Sequence, residues 1–200
     1  MKEPFAKFIE ENLKAGTLLI ACGLPGTWKT ETTQEVSKIK GYKSLRTDLI
    51  RLEVLKGMDV FDEKVAGNYE IRKKVYNEMF SQAEKVLENE NGAIMDATFV
   101  TSELRRRAAG IAASQDKTFV ILQTHCTKDA SINRILRRTK ENYESNALTE
   151  QAYLNNQKRF EDVNLDELKN LYPDLSIVHL TVDTELDEPE NWYIIGIEKR

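Results

Sequence analysis

Short apolar runs alternate along the chain with longer stretches in which apolar residues recur every three or four positions. The short runs, bounded by glycine or polar turns, are typical of strands buried on both faces of a sheet, and the longer stretches of helices packed on it. The predicted strands cover residues 17–22, 42–45, 92–99, 119–123 and 176–183. The predicted helices cover residues 4–14, 29–40, 49–56, 68–89, 102–114 and 149–162, with a further helix after Thr127. This alternation predicts an α/β domain with a parallel sheet.

The first predicted strand leads into a glycine-rich turn and then a helix, with the sequence TLLIACGLPGTWKT over residues 17–30. This order is typical of a phosphate-binding loop, G-x-x-x-x-G-K-[ST], in which backbone N–H groups surround the phosphates, the lysine reaches the β- and γ-phosphates and the hydroxyl holds Mg²⁺. The alternative is a plain turn between a core strand and a helix. The residues expected to contact nucleotide are Gly23, Leu24, Pro25, Gly26, Thr27, Trp28, Lys29 and Thr30.

Trp28 occupies the place of the glycine that normally precedes the lysine. A left-handed backbone at this residue would cost roughly 1–2 kcal/mol, whereas helical dihedrals would leave only the bulk of the ring to accommodate. The following helix has to begin near Trp28, which favours helical dihedrals. We expect the ring to point away from the phosphates, against the lid or a neighbouring surface.

Polar residues follow the second and third predicted strands. Asp48 and Arg51 lie one helical turn apart beyond the second strand, on the rim where ligands bind in open α/β sheets. Asp48 could instead be the N-cap of the following helix. Asp96, near the end of the third strand, is interpreted as an acid that holds the metal through water or as a substrate ligand. A capping role in the next helix suits Thr101 or Ser102 better.

Two hundred residues suit one domain, here residues 1–200, and a net charge of -4 does not favour binding to long polyanions. The two cysteines fit buried core positions in a reducing compartment, and no apolar run is long enough for a signal or a membrane span, so a cytoplasmic location without a membrane partner is expected. Residues 161–190 hold ten acidic and one basic residue and are interpreted as a solvated face; residues 104–140 hold nine basic and two acidic residues. Arginines there suit phosphate handling, and the polar loop beside them suggests a lid over about 134–150.

Taken together, four segments resemble the P-loop kinases related to polynucleotide 5'-kinase, zeta toxins and chloramphenicol phosphotransferase. They are GLPGTWKT at 23–30, TDLIR at 47–51, DATF at 96–99 followed by arginines, and Arg134 with Arg138 before SNA at 145–147. The resemblance covers residues 17–163. It implies a P-loop NTPase fold of three α/β/α layers, a parallel five-stranded sheet of order 2-3-1-4-5 and a helical lid.

The same resemblance implies ATP and Mg²⁺ as cofactors and transfer of a phosphoryl group to a hydroxyl. By this likeness Lys29, Asp48, Arg134 and Arg138 are catalytic, with Asp48 as general base and the two arginines in the lid. The implied substrate ligands are Asp48, Arg51, Asp96 and Thr98, and the implied metal ligands are Thr30 and Asp96.

The sequence therefore predicts an ATP-dependent kinase whose hydroxyl acceptor is a small molecule, a nucleotide or a nucleic-acid end. The acidic chain disfavours a long nucleic acid, although the basic stretch could serve a short one. A nucleotide-dependent switch with little transfer is the alternative. An oligomeric ATPase motor is disfavoured because the chain has no second domain to move. The sequence indicates no oligomeric state.

Overall fold

The computed structural model describes residues 2–57, 65, 68–138 and 148–200. The strands are β1 (Glu3–Pro4), β2 (Thr17–Cys22), β3 (Lys43–Arg46), β4 (Gly92–Asp96), β5 (Thr118–His125), β6 (Ile177–Asp183) and β7 (Tyr193–Lys199). The α-helices are α1 (Phe5–Asn12), α2 (Lys29–Lys40), α3 (Thr47–Val54), α4 (Tyr69–Asn89), α5 (Ser102–Ser114), α6 (Lys128–Leu136), α7 (Glu150–Arg159) and α8 (Leu165–Leu171).

The sheet has the order β1-β7-β6-β5-β2-β4-β3 in the described residues. Its five strands from β3 to β6 are parallel to one another. Numbered along the chain, these five have the predicted order 2-3-1-4-5. The predicted α/β fold is confirmed, but the strand count is larger than predicted. β7 pairs antiparallel with β6, and β1 pairs antiparallel with β7.

Side chains of the central strand β2 alternate between two hydrophobic clusters, one on each face of the sheet. Leu18 and Ile20 lie in the cluster that includes residues of α4, α5 and α8. Leu19 lies in the cluster that includes residues of α1 and α2 together with Trp192. This division produces three layers, with the sheet between two sets of helices. It also buries all six residues of β2 and fixes the position from which the phosphate loop leaves the sheet.

Several boundaries differ from the predicted ones. β4 ends at Asp96 and does not reach Phe99, whose φ of 43° takes the chain out of the extended conformation. α3 begins at Thr47, two residues before its predicted start, and α8 was not predicted. Thr127 caps α6 as expected, since its side chain accepts a hydrogen bond from the N–H of Ala130. The polar loop predicted over 140–147 lies outside the described residues.

The two cysteines, Cys22 and Cys126, are buried free thiols, as predicted. Within the described ranges, the chain has no helix with the length and apolar character needed to cross a bilayer.

Candidate functional site

The phosphate loop leaves the carboxyl end of β2 and is held by the ends of the two neighbouring strands. On one side, the N–H of Gly23 donates to the carbonyl of Thr98, which follows β4 (3.2 Å). On the other side, the Thr27 hydroxyl lies 2.6 Å from the Thr124 hydroxyl of β5. The Thr27 hydroxyl also donates to the carbonyl of Leu24 within the loop (2.8 Å). The loop is therefore fixed in place before any nucleotide binds.

Gly26 is required by the close approach of the loop to α6. Its φ is 81°, and a Cβ at this position would lie 2.4 Å from the carbonyl oxygen of Ser131. Any other residue would have to displace backbone atoms of α6 as well as adopt a strained conformation. The extra glycine in the sequence thus lets the loop pack directly on this helix.

Trp28 has left-handed dihedrals, with φ 57° and ψ 33°. The expectation of helical dihedrals is wrong, because α2 begins one residue later and Trp28 is its N-cap position. The backbone here costs roughly 1–2 kcal/mol for a residue that is not glycine. Two side-chain contacts offset this cost. The indole N–H donates to Asp187 Oδ1 (3.2 Å), and the ring centroid lies 4.9 Å from Arg134 Cζ. The second contact is a cation–π interaction.

Arg134 uses all five of its N–H donors on protein acceptors. It is 5 % exposed. Its acceptors are Asp187 Oδ1 (2.9 Å), the carbonyls of Gly26 (3.3 Å), Thr184 (2.9 Å) and Glu185 (2.8 Å), and the Cys126 sulfur (3.3 Å). This geometry ties the phosphate loop to the segment after β6. The predicted role of Arg134 was different, namely that of a lid arginine that contacts the transferring phosphate.

Lys29, Thr30 and Asp96 come together at the other end of the loop. Lys29 Nζ donates to the carbonyl of Leu24 (2.7 Å). Burial lowers the pKa of Lys29 to about 8, although the Asp96 carboxylate opposes this. Asp96 is buried, which raises its pKa, while the nearby hydroxyls of Thr30 and Thr33 and the charge of Lys29 lower it. A hydroxyl and a carboxylate beside Lys29 form an oxygen donor set that suits Mg²⁺.

The described residues contain no group of three or more His, Cys, Asp or Glu side chains that could hold a metal alone. Mg²⁺ is usually bound by one or two protein groups together with substrate phosphates and water. Asp96 is not a helix cap, since Thr101 fills that role for α5 by accepting from the N–H of Leu104.

Asp48 lies in the first turn of α3, and the N-cap position belongs to Arg46. The alternative interpretation of Asp48 as the N-cap is therefore wrong. The Thr47 hydroxyl donates to the carbonyl of Asp96 (3.3 Å), which holds the start of α3 against the end of β4. Burial, reinforced by the nearby Asp96 charge, raises the pKa of Asp48 to about 6 against the opposing charges of Arg51, Arg46 and Lys29.

Arg46, which the sequence analysis left without a role, lies near both carboxylates. Its Nε is 3.5 Å from Asp96 Oδ2, close enough for an ion pair. The same nitrogen makes no hydrogen bond of good geometry, so the contact is electrostatic. Arg46 therefore partly neutralises the two acids that the site brings together.

Arg138 lies on the phosphate-loop side of the site. Its positive charge contributes to the lowered pKa of Lys29. Burial raises the pKa of Glu31, and the charge of Arg138 opposes this rise. Of the two predicted lid arginines, Arg138 is thus the one that the structure places near the loop lysine. Most of the predicted lid after Arg138 lies outside the described residues.

Tyr76 of α4 lies near Asp48 and Arg51 and was missed by the sequence analysis. Burial and the Asp48 charge raise the pKa of its hydroxyl, while the nearby Thr98 side chain and the Arg51 charge lower it. In the sequence, Tyr76 is one more aromatic residue of an amphipathic helix, and nothing distinguishes it from a core residue. Asp48, Arg51, Tyr76 and Thr98 therefore line one region, next to the phosphate loop.

The arginines of α5 do not join the site. Arg105 is buried among backbone carbonyls, Arg106 pairs with Glu167 (2.5 Å), and Arg107 donates to Asn77 (2.8 Å). The acidic segment after β6 is also not only a solvated face. Its Asp187 binds Trp28 and Arg134, so part of that charge serves to fix the phosphate loop.

We expect Trp28→Gly to keep the fold and to bind Mg-ATP as tightly as the parent or more tightly. The glycine removes the backbone cost of about 1–2 kcal/mol, while the lost cation–π contact is worth about 0.5–1 kcal/mol and the lost indole hydrogen bond to Asp187 about 0.5–1.5 kcal/mol, so the two effects nearly cancel. Calorimetric titration with Mg-ATP and urea unfolding would measure both effects. Trp28→Phe is the matched control, because it keeps an aromatic ring and the strain and loses only the indole N–H. A tenfold weaker affinity in the glycine variant would contradict the expectation.

The solved structures with a similar fold include a gluconokinase and two nucleotide complexes. A gluconokinase from Sinorhizobium meliloti 1021 is 12% identical, with a TM-score of 0.56 and coverage of 86% of this chain and 85% of that one. Kti12 from Chaetomium thermophilum in complex with ADP-AlF3 is 18% identical, with a TM-score of 0.54 and coverage of 74% and 81%. The AvrRxo1-ORF1:-ORF2 complex with ATP is 12% identical, with a TM-score of 0.56 and coverage of 97% and 61%. At these identities the likeness shows the fold.

A comparison with curated protein sequences gives no significant match. The family AAA_33, described as an AAA domain, matches residues 18–163. This range contains the phosphate loop, Asp48, Asp96 and both predicted lid arginines, and it agrees with the extent of the resemblance found in the sequence. Because the match covers most of the chain, this protein belongs to the AAA_33 family of AAA domains.

Proposed function

We propose that this protein is an ATP-dependent kinase that transfers the γ-phosphoryl group to a hydroxyl of a small molecule or a nucleotide. The observation that carries the proposal is the position of Asp48. It lies on the same rim as Lys29 and Asp96, is not used as a helix cap, and is close enough to both for their charges to act on it. A free carboxylate there suits a general base.

The residues of the phosphate loop fit a nucleoside triphosphate with Mg²⁺. The loop backbone over 23–28 and Lys29 would bind the phosphates, and Thr30 with Asp96 would hold the metal directly or through water. ATP supplies the phosphoryl group, and Mg²⁺ neutralises part of its charge. A lysine with a lowered pKa, still mostly protonated at neutral pH, adds a positive charge at the same place.

On the acceptor side, Asp48 orients the hydroxyl and accepts its proton. With a pKa of about 6 it is ionised at neutral pH and still basic enough to take a proton in the transition state. Arg51 and Thr98 are proposed as acceptor ligands. Arg138 is proposed to stabilise the transferring group, since its charge already acts on Lys29. Arg134 is proposed to act indirectly, by fixing the loop that binds the phosphates.

Similar structures support the reaction class. Two of them are a gluconokinase and a sugar kinase, and others contain ATP or ADP-AlF3. We further propose one domain over residues 1–200, with a lid that includes Arg138. The two free buried thiols support a cytoplasmic location.

The test is a transfer assay with γ-labelled ATP and Mg²⁺ against a panel of sugars, sugar acids, nucleosides, antibiotics and 5'-hydroxyl oligonucleotides. We expect label to move to at least one small hydroxyl compound. The same protein without Mg²⁺ is the control. Tight nucleotide binding without transfer to any member would contradict the kinase and favour a nucleotide-dependent switch. Transfer only to oligonucleotides would contradict the small-molecule acceptor.

A further inference from the structure

The indole of Trp28 is held beside the phosphate loop in a small site, which we call the ring site and define by Arg134 and Asp187. The ring centroid lies 4.9 Å from Arg134 Cζ, and the indole N–H donates to Asp187 Oδ1 (3.2 Å). The half-buried ring also packs against the hydrophobic cluster that includes residues of α1 and α2. Trp28 is thus bound in the ring site much as a small aromatic ligand would be.

Most of the ring site is held by contacts that do not involve the indole. Arg134 is buried and each of its five donors has a protein acceptor, so the plane of its guanidinium is fixed. In the segment after β6, the Thr184 hydroxyl donates to the carbonyl of Thr27 (3.0 Å), which joins this segment to the loop. The carbonyl of Leu186 accepts from the indole N–H of Trp192 (2.9 Å), which is fully buried. We therefore expect the ring site to keep its shape when the Trp28 side chain is removed.

The contacts that hold the Trp28 indole are those that suit a nucleobase. A guanidinium stacks on the face of a flat aromatic ring, and a carboxylate accepts hydrogen bonds from ring N–H and amino groups. Under the proposed function, the phosphates of a nucleoside triphosphate bind at the loop to which Trp28 belongs, and the same molecule carries a base. The indole therefore occupies a site whose chemistry and position suit that base.

The hydrogen bonds of Asp187 indicate which base would fit if the indole were absent. An ionised carboxylate offers about four lone-pair positions, two on each oxygen. Arg134 Nε (2.9 Å) and the indole N–H of Trp28 use Oδ1, and Arg137 Nη1 (3.4 Å) uses Oδ2. Without the indole, each oxygen has a position for a further donor. Guanine presents two neighbouring donors, its ring N–H and its amino group, whereas the other common bases present one donor group each.

We propose that Trp28 determines nucleotide specificity, because its indole occupies the site that the base would otherwise take. The protein then binds a nucleoside triphosphate through its phosphates and sugar, with little contribution from the base. This inference rests on the proposed kinase function, since it names the class of phosphoryl donor. ATP is one of several nucleoside triphosphates that the protein accepts.

The first part of the experiment measures binding to the parent protein. The Mg²⁺ complexes of ATP, GTP, CTP and UTP are titrated in a calorimeter, together with that of ribose 5-triphosphate, which has no base. We expect the five Kd values to lie within about threefold of one another, because a base that remains in solvent adds little to affinity. A preference of about tenfold or more for one base would overturn the inference. So would binding of the nucleotides without binding of ribose 5-triphosphate.

The second part empties the ring site. Trp28→Gly should bind GTP about tenfold or more tightly than ribose 5-triphosphate, since a bidentate hydrogen-bonded pair gives discrimination of this size. Trp28→Phe keeps a ring in the site and should not distinguish the bases. Adding Asp187→Asn to Trp28→Gly should remove most of the GTP preference, because the amide has one acceptor oxygen in place of two. Lys128→Gln removes an exposed charge from α6 and is the control, with all affinities unchanged.

Two results with the glycine variant would overturn the inference. One is that Trp28→Gly binds all five compounds as the parent does, because the base would then lie outside the ring site. The other is that the four nucleotides bind much more weakly to Trp28→Gly while ribose 5-triphosphate is unaffected. The indole would then be a surface on which the base stacks. The parent titrations decide the inference even if a variant does not fold.

Transfer assays distinguish this inference from the kinase function. With an identified acceptor, GTP, CTP and UTP should donate the labelled γ-phosphoryl group about as well as ATP does. If ATP alone serves as donor, the kinase function stands and the inference fails. If the nucleotides bind alike but no compound receives phosphate, the ring site occupied by Trp28 stands and the kinase function fails.

Discussion

Asp48→Asn should slow phosphoryl transfer at least roughly a hundredfold while Mg-ATP binding stays close to that of the parent. Asparagine has nearly the same shape and can still orient a hydroxyl, but it cannot accept the proton, and general base catalysis is typically worth 10²–10⁴-fold in rate. Asp48 makes no cap for α3, so the helix does not depend on it. Steady-state transfer and calorimetric nucleotide binding would separate the two effects.

The pH dependence of phosphoryl transfer provides a second test of the role of Asp48. The charges around Asp48 are Asp96, Arg51, Arg46 and Lys29, and the pKa of its carboxyl is raised to about 6. The base is the ionised form, so kcat/KM of the parent should fall as the pH drops below about 6, and this fall should be absent in Asp48→Asn.

The same shift determines how stability changes with pH. The folded protein holds the Asp48 proton more tightly than the unfolded chain does, so this residue makes the fold less stable as the pH rises from about 4 to 6. Asp48→Asn removes that effect. At pH 8 the variant should therefore be at least as stable as the parent in urea unfolding.

Glu53→Gln, an exposed change on the same helix, is the matched control and should alter neither the rate nor its pH dependence. If Asp48→Asn phosphorylates an identified acceptor at the parent rate, the assignment of Asp48 as the base is wrong. A clearly lower melting temperature of Asp48→Asn would instead indicate that the carboxylate has a structural role.

Lys29→Ala should remove most Mg-ATP binding and turnover. Without nucleotide, the Lys29 ammonium is held in the loop by the carbonyl of Leu24. Hydrogen bonds to charged groups are worth about 1.5–3 kcal/mol, so the loss of this donor predicts an affinity about 10–150 times lower. Calorimetric titration with Mg-ATP measures it directly.

Lys38→Ala on the same helix is the control for the loss of one positive charge from α2. Lys38 pairs with Glu35 at the surface, and its removal should leave nucleotide affinity unchanged. Unchanged affinity and activity in Lys29→Ala would mean that the glycine-rich segment is only a turn.

Much of the fold was predictable because buried parallel strands and amphipathic helices leave strong patterns. All of β2 is buried, and its apolar run was recognised with its true bounds. β7 was missed because its residues are mostly half-buried or exposed, so its pattern is weak. β1 has two residues and exists because β7 offers it a partner. Such elements depend on tertiary pairing rather than on local sequence.

Parts of the site were predictable for a different reason. Lys29 and Asp96 follow from the chemistry required at the ends of strands. The role of Arg134 could not be predicted from the sequence. Its partners are mostly backbone carbonyls from distant segments, and backbone carbonyls leave no signature in a sequence. The left-handed backbone of Trp28 was also hidden, since the cation–π contact and the bond to Asp187 that accompany it involve residues more than 100 positions away.

The position of β2 in the middle of the sheet has a consequence for synthesis on the ribosome. Its neighbours are β4 and β5, which begin at Gly92 and Thr118. At about 5–20 residues per second, several seconds pass between the emergence of β2 and that of its first partner strand. During that time a mostly apolar strand that is fully buried in the folded protein remains unpaired in the nascent chain. We therefore expect chains truncated before Gly92 to aggregate or to bind chaperones, whereas release of the full chain allows the phosphate loop to form between its two supporting strands.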